Sequence, residues 1–309
     1  MLLRDLGRDD PQIDAVQIIV ANAAPDILLL TAVDYDVDGL TLAALADLLG
    51  YPHHYAGAPN SGLPTGLDLN ANGRLGEPRD AQGYGRFFGA GGLAVLSRFP
   101  ILADQKRDLT TMLWHDLPGA VPPDGPTGSS EIMNVQRLSS TAHWVLPIDA
   151  PGGQVTLMAF SSTPPVFDGP EDRNGLRNRD ELRLWTHVLD QDQPPMFVIL
   201  GNANLDPADG DGLRDAMTDF LADPRIIDPL PRSAGGVEAA DANHVGDPAL
   251  DTADWTDGTP GNLRVSYVLP SADWRIDDAG VVWPPSDDPV ARIVADAGPH
   301  RLVWVDISR

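Results

Sequence analysis

The residues best spaced to bind an ion alternate with other residues in a short loop that turns at Gly73. The candidate ligands are Asp68, Asn70, Asn72, the backbone carbonyl of Arg74, and Asp80. Oxygen ligands at positions 1, 3 and 5 ahead of a glycine match the first half of a calcium loop. Arg79 stands where such a loop has a bidentate acid. Two interpretations therefore stay open: a bound Ca²⁺, or a loop held by side-chain to backbone hydrogen bonds.

A second polar group follows an apolar run that is typical of a buried strand. Residues 198–200 are Val, Ile and Leu, and Asn202, Asn204 and Asp206 come directly after them. A buried strand delivers the side chains that follow it to one end of a sheet. We therefore expect a candidate active site at this point.

The composition excludes several classes of protein and site. Forty-five acidic against 21 basic residues give a net charge of -24, which disfavours nucleic acid as a partner. The absence of cysteine excludes disulfides and thiolate metal sites. No apolar run approaches the roughly 20 residues of a membrane span, and the first residues are too charged for a signal peptide. The sequence thus predicts a soluble chain without an export signal, although a calcium loop slightly favours an extracytoplasmic setting.

Helices and strands that alternate along the chain must position these residues. Helices are predicted from Asp10-Pro11 onward and over residues 40–49, 180–189 and 211–221. Strands are predicted over residues 25–30, 92–101, 137–147, 155–160, 198–200, 263–269, 280–283 and 302–307, with residues 152 and 153 in a hairpin turn. Residues 233–260 are predicted to be a loop or lid. This pattern indicates an α/β fold of two packed mixed sheets with helices outside.

Several motifs, spread in order from about residue 25 to the C-terminus, resemble a bacterial branch of the endonuclease/exonuclease/phosphatase family. They lie at residues 28–36, 92–98, 137–140, 163–174, 201–204, 262–270 and 300–306. The resemblance implies a single domain over residues 1–309, folded as a four-layer α/β sandwich of two packed mixed β-sheets flanked by helices. It places the active site at one end of the two sheets. The opening strand of the family has no counterpart before the helix near Asp10, which would leave a sheet edge open.

The resemblance also implies which positions would carry the chemistry. Members of the family bind Mg²⁺ through carboxylates and use histidines beside the phosphate. The family's metal glutamate, its phosphate-contacting histidine and three of its aspartates fall at Ala32, Ser161, Asn202, Ser266 and Pro299. An asparagine and the last histidine are kept, as Asn204 and His300. The resemblance therefore implies that no catalytic set is intact.

Two functions follow from these residues. The first is a binding or scaffolding pseudoenzyme, with a protein partner at the old cleft or at an open sheet edge. The alternative is an active metal-dependent phosphoesterase or phosphodiesterase that uses Mg²⁺ or Mn²⁺ in a rearranged site. Its candidate residues are Asp34, Asp36, Asn204, Asp206 and His300. The four arginines between residues 173 and 183 are interpreted as a solvated helix face paired with Asp180 and Glu181, and not as a nucleic-acid site.

Overall fold

The computed structural model describes residues 2–255 and 260–309, which form an α/β protein with several sheets. The helices, α1 to α8, are Leu2–Asp5, Pro11–Ala23, Leu40–Leu49, Ser130–Met133, Arg173–Asp192, Arg214–Leu221, Ala234–Ala239 and Ala291–Asp296. The strands, β1 to β12, are Ile27–Val33, His53–Tyr55, Gly92–Ser97, Arg107–Asp108, Ala142–Ala150, Gly153–Ser161, Phe197–Asn202, Ala253–Asp254, Asn262–Leu263, Ser266–Pro270, Arg275–Val282 and Leu302–Ser308. Within the described ranges, no helix is long and apolar enough to cross a membrane.

The start of α2 and the end of α3 lie where the sequence predicts them. The carboxylate of Asp10 accepts hydrogen bonds from the backbone N–H groups of Gln12 and Ile13, so it caps α2 ahead of Pro11. Helix α3 ends at Leu49 and is capped by Gly50, whose φ of 74° is a left-handed conformation that glycine adopts without strain. Helix α5 is longer than predicted at both ends, and α6 begins later than predicted.

The largest sheet has five strands in the order β10-β7-β6-β5-β4. Strands β5 and β6 form the predicted hairpin around Gly152 and Gly153, although β5 begins at Ala142 and not at residue 137. Strands β6 and β7 are parallel and are connected through α5, whereas β10 runs antiparallel to β7. The last residues of β6 and β7 and the first residue of β10 therefore meet at one end of this sheet.

The other strands form three smaller sheets in the part of the chain that the structure describes. Strands β1, β3 and β2 make an antiparallel sheet in the order β1-β3-β2, while β11 pairs with β12 and β8 pairs with β9. The sequence predicts two mixed sheets, but the hydrogen-bonded ladders divide into four, and parallel pairing occurs in the five-stranded one. Which strands pair depends on contacts between distant parts of the chain, and local patterns do not contain that information.

Apolar clusters cover both faces of the five-stranded sheet. On one face, Trp185 of α5 packs with Phe160 of β6 and Ile199 of β7. On the other face, Trp144 of β5 packs with Val95 of β3. A sheet buried on both faces holds its strands firmly, so the strand ends give a rigid base to the residues that follow them.

The segment from 233 to 260, predicted to be a loop or lid, has regular structure where it is described. It contains α7 and β8, and β8 pairs with β9. Residues 256–259 of the predicted lid lie outside the described residues.

Candidate functional site

Three of the positions implied by the family resemblance lie side by side on neighbouring strands. Asn202, the last residue of β7, is the ladder partner of Ser161 on β6 and of Ser266 on β10. Partner residues on adjacent strands point to the same face of a sheet, so these three side chains form one polar row at the strand ends. Two hydroxyls and a carboxamide thus occupy the positions to which the resemblance assigns a histidine and two aspartates.

The two asparagines after β7 are engaged with the backbone around them. The side-chain oxygen of Asn202 accepts a hydrogen bond of 3.1 Å from the N–H of Asn204. The side-chain amide of Asn204 donates one of 2.8 Å to the carbonyl of Ser162. Asn204 also has a φ of 52°, a left-handed conformation that asparagine tolerates better than most residues. Both side chains therefore stabilise the turn that follows the strand.

His300 reaches the polar row from the residues before β12. Its Nδ1 atom lies 3.4 Å from the hydroxyl oxygen of Ser266, and its ring packs edge-on against Trp255, with 5.3 Å between the ring centroids. Burial, and then the nearby charge of Arg301, lower the pKa of His300 below its ordinary value. A hydroxyl at Nδ1, unlike a carboxylate, does not stabilise the imidazolium form, so His300 is poorly placed to act as a general base.

The last two mapped positions are Ala32 and Pro299, whose side chains offer no metal ligand. Ala32 lies at an irregularity of β1, is exposed, and has a φ of 58°, which costs a non-glycine residue about 1 kcal/mol. The carbonyl of Pro299 accepts a hydrogen bond of 2.9 Å from the N–H of Asp254. The polar row, His300 and these two residues together supply no carboxylate, the ligand type that Mg²⁺ prefers, so the mapped set does not fit this ion.

The residues of the alternative catalytic set are bound to separate pieces of backbone. Asp36 caps α3 by accepting hydrogen bonds from the N–H groups of Leu40 and Thr41. Asp206 accepts three backbone hydrogen bonds of 2.6 to 2.9 Å, and Asp34 accepts one of 3.0 Å from the backbone of α1. Across residues 2–255 and 260–309, no three His, Asp or Glu side chains are grouped so that they could hold a metal ion.

The carboxylates of the calcium-like loop accept hydrogen bonds from the loop's own backbone. Asp68 accepts bonds of 3.1 and 2.7 Å from the N–H groups of Asn72 and Gly73. Asp80 is buried and accepts one of 3.1 Å from the N–H of Leu69. These bonds match the second interpretation of the motif, in which the loop is held by its own side chains.

The other candidate ligands of this loop are engaged in the same way. The side-chain oxygen of Asn70 accepts a bond from the N–H of Asn72, and that of Asn72 accepts one of 2.8 Å from the N–H of Arg74. The guanidinium group of Arg74 lies 3.5 Å from the carboxylate of Glu77 at the surface. A Ca²⁺ ion at this loop stays a prediction.

The arginines of α5 do not form the solvated face that the sequence suggested. Arg173 and Arg177 are buried, while Arg179 and Arg183 pair with the buried carboxylate of Asp180 at 2.8 and 3.0 Å. The expected pairing with Asp180 is confirmed for Arg179 and Arg183, but solvation was wrong for Arg173 and Arg177. Spacing along a helix shows which residues share a face, but not which face the rest of the chain covers. The guanidinium groups of Arg173 and Arg177 are therefore not accessible to an anionic ligand.

Sequence reasoning also missed a buried carboxylate close to the polar row. Glu181 of α5 accepts hydrogen bonds from the N–H and hydroxyl of Ser140 and from the N–H of Thr163, at 2.6 to 2.8 Å. Burial raises the pKa of Glu181 to about 7, against the opposing charge of Arg177. Glu181 thereby joins α5 to the residues just before β5 and just after β6. The partners are 18 and 41 residues away along the chain, so no local motif signals the contact.

A second buried group brings together one histidine and two aspartates from three separate segments. The Nε2 atom of His244 lies 3.4 Å from a carboxylate oxygen of Asp209 and 3.6 Å from one of Asp251. Burial, followed by the charges of Asp206, Asp209 and Asp247, raises the pKa of Asp251 to about 8. A carboxyl whose pKa is raised by burial is expected to make stability depend on pH.

Comparisons with known proteins agree with this fold. The sequence profile of the Endonuclease/Exonuclease/phosphatase family matches residues 1–300. Among solved structures, an endonuclease/exonuclease/phosphatase from Beutenbergia cavernae DSM 12333 is 19% identical, with a TM-score of 0.58 over 97% of this chain and 66% of that one. A 3'-5' exonuclease (NExo) from Neisseria meningitidis is 17% identical, with a TM-score of 0.54 over 97% of this chain and 95% of that one.

These identities are low, so the structural likeness demonstrates the fold alone. This chain spans less than two thirds of the length of the Beutenbergia structure, and no curated protein matches it. The family profile, in contrast, covers nearly the whole chain. The chain therefore belongs to the endonuclease/exonuclease/phosphatase family.

Proposed function

We propose that this chain keeps the family's fold but has lost metal-dependent phosphoester hydrolysis, and that it serves as a binding or scaffolding protein. The observation that carries the proposal is the polar row with its neighbour His300. At the strand ends where the resemblance expects carboxylates and a second histidine, the side chains are those of Ser161, Asn202 and Ser266.

The physical argument rests on charge. Mg²⁺ and Mn²⁺ are held in such enzymes by carboxylate oxygens, whose charge a hydroxyl or a neutral amide does not replace. A histidine without its orienting carboxylate loses orders of magnitude in rate where this has been tested in other enzymes. Ala32 in the place of the metal glutamate and Pro299 in the place of the orienting aspartate remove the remaining charges. Each change alone weakens catalysis, and together they dismantle the site.

In this proposal, the fold that remains binds a partner protein. We infer that β1 and the five-stranded sheet belong to two packed sheets of a four-layer α/β sandwich, because Trp144 of β5 and Val95 of β3 share one apolar cluster. The partner would bind at the old cleft or at an open sheet edge. Nucleic acid is disfavoured by the net charge of -24.

Calcium at the loop of residues 68–80 is a separate proposal about stability. Asp68, Asn70, Asn72 and Asp80 remain within one short segment, and Ca²⁺ accepts mixed carboxylate, amide and carbonyl oxygens. Binding would require Asp68 to exchange its bonds with the backbone of Asn72 and Gly73 for bonds to the ion. A site of this kind is weak and would fill where calcium is millimolar, as outside the cytoplasm.

Hydrolysis assays test the proposal directly. The purified chain and its His300→Ala variant would be incubated with bis(p-nitrophenyl) phosphate and p-nitrophenyl phosphate, with Mg²⁺ or Mn²⁺ and with EDTA. We expect no metal-dependent release of p-nitrophenol above the level of His300→Ala, because neither chain has the carboxylates that would bind the ion. Metal-dependent turnover that His300→Ala abolishes would overturn the proposal in favour of an enzyme with a rearranged site.

A further inference from the structure

Strands β1 and β12 each have one edge without a neighbour among the described residues. Strand β1 is paired with β3, and β12 is paired with β11. Within residues 2–255 and 260–309, no ladder or isolated bridge joins β1 to β12 or gives either strand a second neighbour in its sheet. Unpaired edges of this kind expose backbone donors and acceptors, and proteins normally cover or pair them.

These two edges lie in the same layer of the molecule. Leu28 of β1 and Leu302 of β12 pack in one apolar cluster with Val20 of α2, while Leu29 and Ile307 both pack against the cluster on the opposite face. Strand β1 crosses over β7 and β12 crosses over β10, and β7 and β10 are direct neighbours. Both strands therefore lie between the helices and the five-stranded sheet.

Strands β1 and β12 lie farther apart than paired neighbours in a sheet. Nearly all Cα atoms of β1 lie more than 8 Å from those of β12. Paired strands lie about 4.8 Å apart, so two strands that flank a third are about 10 Å apart. The apolar residues 302–305 of β12 are only half-buried, as expected where a neighbour is missing. We call the space between β1 and β12 the slot.

The backbone of both strands points into the slot. The N–H of Arg98 donates to the carbonyl of Asp26, so this pair at the start of the β1–β3 ladder is hydrogen-bonded. Hydrogen-bonded and non-hydrogen-bonded pairs alternate along an antiparallel ladder. The N–H and carbonyl of Leu29, three residues after Asp26, therefore point away from β3. The N–H of Val281 donates to the carbonyl of Arg232 and hence points away from β12. Its ladder partner, Val303, must then direct its own N–H and carbonyl away from β11.

The two edges run in opposite directions. The carbonyl of Pro100, close to where β3 pairs with the start of β1, accepts a hydrogen bond from Asp149 beside the β5–β6 turn. The side chain of Arg309, which follows β12, donates to the carbonyl of Gln154 at the same turn. Strand β1 thus begins where β12 ends. A strand in the slot would pair parallel with one edge and antiparallel with the other.

We propose that the slot binds an extended segment of a partner polypeptide, which completes one sheet across β1 and β12. The inference rests on the proposed binding role and names the class of partner. The segment must be apolar on both faces, because helices cover one side of the slot and the five-stranded sheet covers the other. Basic residues at its ends suit the net charge of -24. Backbone hydrogen bonds on two edges supply the affinity, as in other cases of strand addition.

Hydrogen–deuterium exchange of the full chain tests the slot with a synthetic probe. The probe is a peptide of Val and Ile residues, matched in length to β1 and flanked by lysines, and its control contains two central prolines. We expect saturable binding that is at least about tenfold tighter than that of the control, with slower exchange in both β1 and β12. Absence of saturable binding, or slower exchange in neither strand, would overturn the proposal.

A proline variant supplies an independent check. Val303→Pro removes an N–H that points into the slot and has no ladder partner on β11, so it should weaken peptide binding at least about tenfold. Equal binding by a folded Val303→Pro chain would contradict the slot. If the chain neither binds the peptide nor hydrolyses the phosphoesters, the proposal of strand binding is wrong and the proposed loss of catalysis is retained. Metal-dependent hydrolysis would refute the proposed function whatever the peptide does.

Discussion

Replacing Glu181 with alanine is expected to lower the free energy of unfolding by about 3–5 kcal/mol, because three buried hydrogen-bond donors lose their acceptor. Glu181 is fully buried and accepts three hydrogen bonds, from Ser140 and Thr163. Removing the carboxylate leaves the donors of Ser140 and Thr163 without an acceptor. It also leaves the buried guanidinium of Arg177 with less opposing charge. Urea denaturation followed by circular dichroism measures the difference.

A carboxylate on the same helix provides the control for this change. Asp192 is 82% exposed and makes only a surface ion pair of 3.6 Å with Arg107. Asp192→Ala should change the free energy of unfolding by less than about 0.5 kcal/mol. If Glu181→Ala proved as mild as Asp192→Ala, the buried hydrogen bonds of Glu181 would not stabilise the fold.

Replacing Asp251 with asparagine is expected to change how stability depends on pH. The pKa of Asp251 rises to about 8 in the folded chain, above its value of about 4 in an unfolded chain. Between these pH values the folded chain holds a proton that the unfolded chain has released. The stabilisation from this proton is complete below about pH 4 and is lost as the pH rises through 8. Asparagine carries no such proton, so Asp251→Asn should gain stability relative to the parent chain between pH 5 and pH 9.

The expected gain is at least about 1.4 kcal/mol, the energy of one pKa unit, measured by urea denaturation at several pH values. Asp287→Asn removes an exposed carboxylate and is the matched control. A stability difference that stayed constant from pH 5 to pH 9 would contradict the assignment. A stability difference of opposite slope would contradict it as well.

Elements with local signals could be predicted from the sequence. Asp10 and Pro11 mark the start of α2, Gly50 marks the end of α3, and the glycines at 152 and 153 mark the β5–β6 hairpin, because each residue stabilises a turn or cap within a few positions of itself. The polar end of β7 was also visible, since an apolar run leads directly into Asn202 and Asn204. Each of these features is produced by residues that lie close together in the sequence.

Features that depend on distant segments could not be predicted in this way. Glu181 finds its partners at Ser140 and Thr163, and His244 meets Asp209 and Asp251, through folding that no spacing rule describes. The division into four sheets has the same origin, because pairing between edges is decided by the packing of the whole chain. The arginines of α5 showed the same limit, since their helical spacing did not reveal which face is covered.

Calorimetric titration of the metal-stripped chain with Mg²⁺, Mn²⁺ and Ca²⁺ measures whether a catalytic metal site remains. We expect no saturable heat with Mg²⁺ or Mn²⁺, because the polar row and His300 offer no carboxylate at the strand ends. Any Ca²⁺ heat should be absent from Asp68→Ala and should leave phosphodiester hydrolysis at zero. Saturable binding of Mg²⁺ or Mn²⁺ that is abolished by Asp206→Asn or His300→Ala would show instead that a catalytic metal site has been rebuilt.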